Sequence, residues 1–85
     1  MPKVTIYTTR FCPYCLAAKR LLTSKQVAFE EIPVDGRPDL RETMTERAGG
    51  AYTVPQIWIG DVHVGGCDEL YELDSAGRLD PLLAA

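Results

Sequence analysis

The sequence lacks the marks of secreted and membrane-spanning proteins. It contains no apolar run of transmembrane length. Its N-terminal residues show no apolar segment followed by a cleavage site. We therefore expect a cytoplasmic protein with no membrane partner. Because the cytoplasm keeps thiols reduced, a lasting structural disulfide would be unusual there.

The chain also lacks an excess of positive charge. Nine Lys and Arg residues stand against twelve Asp and Glu residues, which gives a formal net charge of −3. This balance argues against a nucleic-acid-binding protein. At 85 residues, without a repeat, a linker or a low-complexity stretch, the sequence predicts a single domain over residues 1–85. We expect it to be a monomer.

Cysteine is scarce, and two of the three cysteines lie close together in the motif Cys12-Pro13-Tyr14-Cys15. Residues 4–7 before the motif are typical of a strand, and residues 16–25 after it are typical of a helix. Cys12 would then lie at the start of that helix, where free N–H groups and the helix dipole favour a thiolate. A thiolate is the form that attacks disulfides, so the motif indicates a redox site. Cys15, almost one turn further on and more buried, suits a resolving role.

Basic side chains flank this motif. Lys19 and Arg20 follow it on the helix, and we interpret them as its solvated face. Arg10 is two residues from Cys12, where its positive charge would favour a thiolate and anionic thiol substrates.

The rest of the pattern alternates strands with helices. Further strands are predicted at residues 27–34, 56–59 and 62–64, and further helices at residues 39–48 and 67–73. Asp39, with Glu42 three residues later, is expected to cap the second helix, and Gly60-Asp61 predicts a hairpin turn. The tail at residues 80–83 is expected to pack back only weakly. The first two strands would be parallel and the last two antiparallel. The sequence therefore predicts an α/β, thioredoxin-like fold, a four-stranded mixed sheet flanked by three helices.

A second segment of interest is Thr53-Val54-Pro55. Its proline precedes a strand that must be central in so small a sheet, and proline is excluded from strand interiors. A turn or a cis peptide explains it, and either would leave the backbone groups of Val54 free to pair with an extended peptide. A plain loop proline is the alternative.

A third segment is Gly65-Gly66-Cys67-Asp68, in which two glycines lead into a helix. N–H groups at a helix N-terminus can hold a carboxylate, and glycine permits close approach. Asp68 can accept a hydrogen bond from an ammonium group. The pair suits the α-carboxylate and α-ammonium of an amino acid, although a Gly-Gly turn is common.

Taken together, the three segments and the tail at residues 77–83 resemble the glutaredoxins, especially the small bacterial dithiol type. The resemblance implies a glutathione-dependent thiol–disulfide oxidoreductase that needs no metal and no organic cofactor beyond glutathione. It further implies that glutathione lies extended in a groove between the segments. Expected protein partners are glutathionylated or disulfide-containing proteins, among them an oxidised reductase.

The resemblance also implies residue roles. Cys12 and Cys15 would be the catalytic thiols, and Pro55 would follow a cis peptide bond. Glutathione would be bound by residues of all three segments and by the preceding arginine: Arg10, Tyr14, Thr53, Val54, Pro55, Gly66, Cys67 and Asp68. Arg47 is a further candidate for a basic contact. Cys67 is either a small buried side chain at a helix start or a regulatory thiol.

Three other functions share some of these residues. The three cysteines and His63 offer four possible zinc ligands, although Pro13 opens a helix rather than a zinc knuckle. Some glutaredoxins hold an iron–sulfur cluster, but those mostly lack the proline and the second cysteine of this motif. A small redoxin reduced by thioredoxin reductase would share the first two segments and differ in the third. The electron donor distinguishes this last alternative.

Overall fold

One mixed sheet organises the molecule, and the computed structural model describes it over residues 2–85. The sheet order is β2-β1-β3-β4, with β1 parallel to β2 and the other two pairs antiparallel. The strands are β1 (Val4–Thr8), β2 (Phe29–Pro33), β3 (Gln56–Ile59) and β4 (Val62–Gly65). These pairings and the central place of β3 confirm the predicted topology.

Helices cover both faces of the sheet. They are α1 (Pro13–Ser24), α2 (Pro38–Arg47), α3 (Cys67–Ser75) and α4 (Leu79–Ala84). On one face, α1, α3 and α4 enclose the larger core with residues such as Ile6, Leu22 and Ile57. On the other face, α2 covers a smaller core around Tyr7, Met44 and Trp58. Because both faces are covered, every residue of β1 is buried, including its two threonines.

Two local predictions were wrong. Asp39 does not cap α2, because Pro38 occupies the first turn and Arg37 precedes it as the N-cap residue. Proline suits that position, since its missing N–H would have had no helical partner. Asp39 instead forms an ion pair with Arg37, at 2.9 Å.

The tail does more than pack back weakly. It forms α4, a fourth helix beyond the three predicted, and places Leu79 and Leu83 in the larger core. Lys25, at the end of α1, adds ion pairs to Asp74 at 2.7 Å and to Asp80 at 3.0 Å. The C-terminal segment is therefore part of the folded core. No helix in the described part of the chain has the length and apolar character needed to cross a membrane.

Candidate functional site

The dithiol lies where strand β1 gives way to helix α1. Cys12 is the N-cap residue of α1, and its Sγ accepts a hydrogen bond from the N–H of Cys15 at 3.0 Å. The two cysteines form a disulfide, and their Cα atoms are 5.1 Å apart. Cys15 is 1% exposed, whereas Cys12 is partly exposed. Cys12 is therefore the more accessible of the two sulfurs, and a position at a helix N-terminus favours the thiolate form of a cysteine.

The loop before β3 faces this dithiol. The peptide bond between Val54 and Pro55 is cis, which is one of the two conformations predicted there. The carbonyl oxygen of Val54 lies 3.8 Å from the Sγ of Cys12. An extended ligand that pairs with the backbone of Val54 would thus lie next to the reactive sulfur.

An open cleft of about 180 Å³ connects the three segments singled out by the sequence. It is lined by Tyr14, Thr53, Val54, Pro55, Gly66, Cys67, Asp68 and Glu69. The structure therefore brings together all the predicted glutathione-binding residues except Arg10.

The third wall of the cleft is the N-terminus of α3. The N–H of Gly66 donates to Glu69 Oε1 at 2.9 Å, so the side chain of Glu69 folds back over the start of its own helix. Gly65 permits this contact, because it has a φ of +111° and a Cβ there would lie 2.8 Å from Glu69 Oε1. The N–H groups of Cys67 and Asp68 have no partner within the helix and can serve a carboxylate ligand.

Glu69 is the cleft residue that the sequence interpretation missed. The available signal was its place three residues after Gly66, the spacing at which a helix-capping glutamate returns to the N-cap N–H. That spacing predicts a helix cap, but it does not show that the cap borders a ligand cleft.

Cys67 is the first residue of α3 and is 8% exposed. Its burial raises the pKa of the thiol above its ordinary value, and the neighbouring carboxylates of Asp68 and Glu69 raise it further. The raised pKa disfavours the thiolate, which is the nucleophilic form of a cysteine.

The basic residues lie outside this cleft. Arg10 lines a separate depression with Lys19 and Glu31, and its backbone N–H donates to the carboxylate of Asp35 at 3.0 and 3.1 Å. Lys19, interpreted from the sequence as a residue of the solvated helix face, is half-buried and forms an ion pair with Glu31 of β2 at 3.0 Å. A contact between Arg10 and glutathione remains a prediction.

Arg47 is engaged on the smaller core. Its guanidinium lies 4.4 Å from the ring centroid of Trp58 and donates to the hydroxyl of Tyr7 at 2.9 Å. Through these contacts the side chain of Arg47 packs against residues of strands β1 and β3. A contact from Arg47 to glutathione is likewise untested.

His63, the fourth candidate zinc ligand, is exposed on β4. Its Nε2 lies 2.7 Å from Gln56 Oε1, and its ring stacks on Trp58 with the centroids 4.7 Å apart. Within residues 2–85, no group of three or more His, Cys, Asp or Glu side chains is arranged to hold a metal ion.

The chain is similar to glutaredoxins in sequence and in structure. A family model described as Glutaredoxin matches residues 4–64. A glutaredoxin of Pseudomonas aeruginosa is 59% identical over 85 residues, which cover 100% of both chains. The solution structure of a glutaredoxin from Brucella melitensis has a TM-score of 0.85 and 54% identity, covering 98% of this chain and 89% of that one.

A structure with ligand is also similar. The crystal structure of the buckwheat glutaredoxin–glutathione complex has a TM-score of 0.88 and 28% identity, covering 98% of this chain and 77% of that one. Glutaredoxins use glutathione as their cosubstrate. The chain belongs to the glutaredoxin family and is a glutathione-dependent thiol–disulfide oxidoreductase with Cys12 and Cys15 as its dithiol.

Proposed function

We propose that Cys12 is the attacking thiol and that glutathione binds extended along the cleft beside it. The observation that carries this proposal is the convergence of three separate segments on one cleft, with Val54 O only 3.8 Å from Cys12 Sγ. In this arrangement the backbone of Val54 pairs with the cysteinyl residue of glutathione. The free N–H groups of Cys67 and Asp68 hold the γ-glutamyl carboxylate.

The charges of the cleft suit the same orientation. The carboxylate of Asp68 accepts a hydrogen bond from the γ-glutamyl ammonium group. Tyr14 is 64% exposed and supplies an apolar wall next to the glutathione sulfur. Arg10 remains our proposed contact for the glycyl carboxylate or the thiolate; as this arginine is exposed, it is free to reorient toward a ligand.

In the first route, the substrate is a protein–glutathione mixed disulfide. The Cys12 thiolate attacks the glutathione sulfur, a Cys12–glutathione disulfide forms, and the protein leaves as a thiolate that takes up a proton. The thiolate of a second glutathione then attacks the bound glutathione sulfur. This step releases oxidised glutathione and restores the Cys12 thiolate.

In the second route, the substrate is a protein disulfide. Cys12 attacks one substrate sulfur and forms a mixed disulfide, while the other substrate sulfur leaves. The Cys15 thiolate then attacks the Cys12 sulfur, which frees the reduced substrate and leaves the Cys12–Cys15 disulfide. Two molecules of glutathione reduce that disulfide. The burial of Cys15 suits this internal attack, because a substrate cannot reach it first.

Protein clients are proposed from the surface around the dithiol. Phe11 is 90% exposed and precedes Cys12, and Tyr52, next to the cleft residue Thr53, is 70% exposed. Exposed aromatic side chains beside a reactive centre suit a flexible peptide that carries the disulfide, such as a segment of an oxidised reductase. We propose a monomer, because the dithiol and the cleft both belong to one chain, and a cytoplasmic location, where glutathione keeps such a dithiol reduced.

The electron donor tests this function. We expect reduction of a glutathionylated substrate to be sustained by glutathione, glutathione reductase and NADPH, and not by thioredoxin reductase and NADPH. The Cys12→Ser variant is the control and should be inactive with both donors. Sustained turnover with thioredoxin reductase and none with glutathione would contradict the proposal.

A further inference from the structure

A chain of three hydrogen-bonded side chains runs from the exposed strand β4 to the wall of the glutathione cleft. His63 Nε2 lies 2.7 Å from Gln56 Oε1, and Gln56 Nε2 lies 3.2 Å from Thr53 Oγ1. Gln56, the middle member, is only 4% exposed and follows Pro55 directly. Thr53, the last member, lines the cleft. A buried carboxamide therefore lies directly behind a cleft residue.

The chemistry of the three groups fixes which group donates and which accepts in each hydrogen bond. The amide oxygen of Gln56 can only accept, so the hydrogen of the first bond is carried by His63 Nε2. The amide NH₂ of Gln56 can only donate, so Thr53 Oγ1 takes part in the second bond as an acceptor. The hydroxyl hydrogen of Thr53 is not used in this chain. Among the described residues, that hydroxyl donates to no protein acceptor.

Neighbouring residues restrain both Gln56 and its partner His63. Gln56 is the first residue of β3 and pairs with Tyr7 of β1 in the middle of the sheet. The ring of His63 stacks on Trp58, and Arg47 lies over the same indole. The carboxamide is therefore confined by its neighbours, and its NH₂ group occupies one acceptor site of the Thr53 hydroxyl.

We propose that Gln56 is a positioning residue for glutathione: its carboxamide fixes the Thr53 hydroxyl at the cleft wall with its hydrogen free for an oxygen of the bound tripeptide. This inference rests on the proposed function, which places glutathione in that cleft. Glutathione offers carbonyl and carboxylate oxygens, and Thr53 donates to one of them. Gln56 itself acts through Thr53, since it is buried behind the cleft.

A double-mutant cycle tests the proposal. We would measure kcat and the KM for a glutathionylated substrate, whose glutathione part occupies the cleft in the first route, at a fixed glutathione concentration for Gln56→Met, Thr53→Val and the double variant. Each single variant should raise KM about 3- to 10-fold, the size of one net hydrogen bond, while kcat stays within about 2-fold. The double variant should show no further increase over Thr53→Val, because the two residues serve the same bond.

Gln56→Glu provides a second variant of nearly the same shape. Its carboxylate cannot donate to Thr53, so the Thr53 hydroxyl must donate to it and loses its free hydrogen. KM should rise here as well. Gln26→Met, an identical change at an exposed position after α1, is the matched control and should leave KM and kcat unchanged.

Two results would overturn the proposal alone: an unchanged KM in both Gln56 variants, or a Gln56→Met effect that is equally large when Thr53 is already valine. If the Gln56 variants lowered kcat and the free energy of unfolding but left KM unchanged, the first of these results would assign Gln56 a purely structural role. A wild-type protein without glutathione-dependent turnover would instead refute the proposed function on which the inference rests.

Discussion

At the scale of single residues, exposure separates the two thiols of the motif. Cys12 is partly exposed and caps α1, while Cys15 is 1% exposed within the first turn. The sequence interpretation assigned the attacking role to Cys12 at the start of the helix, and the resolving role to Cys15, almost one turn further on and expected to be more buried. In the structure Cys15 is the more buried sulfur, which supports our proposal that Cys12 attacks first, because a substrate meets the more exposed sulfur.

The burial of Cys67 and the pKa of its thiol could not be predicted from the sequence. The sequence left two alternatives for this residue, a small buried side chain at a helix start and a regulatory thiol. The structure buries the side chain and places two carboxylates in the same turn, and both effects raise the pKa of the thiol. The burial depends on the packing of α3 against the sheet, which no local pattern encodes.

We predict that Cys67 is unreactive in the folded protein and dispensable for turnover. The Cys67→Ser variant should keep kcat/KM within about 2-fold, because the expected ligand contact is the backbone N–H, which serine also provides. In a Cys12→Ser/Cys15→Ser protein, Cys67 is the sole thiol, and its alkylation by iodoacetamide should be slow at neutral pH. Because the folded-state pKa is raised, the half-maximal rate should be reached only above the ordinary thiol value of 9.0.

The sign of the linked stability follows from the same shift. Folding favours the protonated thiol, so its contribution to the free energy of unfolding is fully present below the ordinary pKa and is lost as the pH rises through the raised value. The same double variant in urea provides the control, with an ordinary alkylation profile. Alkylation of the folded protein at neutral pH as fast as in urea, or a many-fold loss of activity in Cys67→Ser, would contradict this account.

At the scale of helices and strands, the sequence was most informative where one residue type has one structural meaning. Pro13 opens α1 and Gly60-Asp61 forms the β3–β4 turn, as predicted. It was less informative where two signals competed. Asp39 is a favourable N-cap residue, but α2 already begins at Pro38, whose fixed φ suits the first helical position.

The C-terminal segment was underestimated for a different reason. Its six residues are too few to form a stable helix alone. Helix α4 exists because Leu79 and Leu83 complete the core beneath α1 and α3. The element depends on tertiary contacts, so it becomes apparent only when the sheet and the other helices are in place.

We predict that α4 contributes strongly to stability. Leu79 is fully buried, so Leu79→Ala should lower the free energy of unfolding by roughly 2–5 kcal/mol. Leu82→Ala, on the same helix but only half-buried, is the matched control and should cost clearly less. Urea unfolding followed by the fluorescence of Trp58, the one tryptophan in the sequence, measures both. Equal losses in the two variants would show that α4 is not anchored through Leu79.

At the scale of the whole molecule, the sheet brings distant segments to one site. The dithiol follows β1, the cis proline precedes β3, and the Gly-Gly turn ends β4, and in each case the segment lies at an end of a strand. Motif spacing and family resemblance predicted this convergence. The series of side-chain hydrogen bonds from His63 to Thr53 could not be predicted, because it depends on the register of β3 against β4. Every helix contributes to a core on the one sheet, which supports our proposal of a single domain over residues 1–85.

The central claim, a Cys12-first dithiol mechanism that uses glutathione, is tested most directly by the Cys15→Ser variant on two substrates. With glutathione reductase regenerating glutathione, this variant should still reduce a glutathionylated small molecule, at least as fast as the wild type, because no internal attack diverts Cys12. It should lose most activity toward a protein disulfide, and Cys12→Ser should be inactive on both substrates. Equal failure of Cys15→Ser on the glutathionylated substrate, or activity of Cys12→Ser on it, would contradict the assignment of the attacking and resolving thiols.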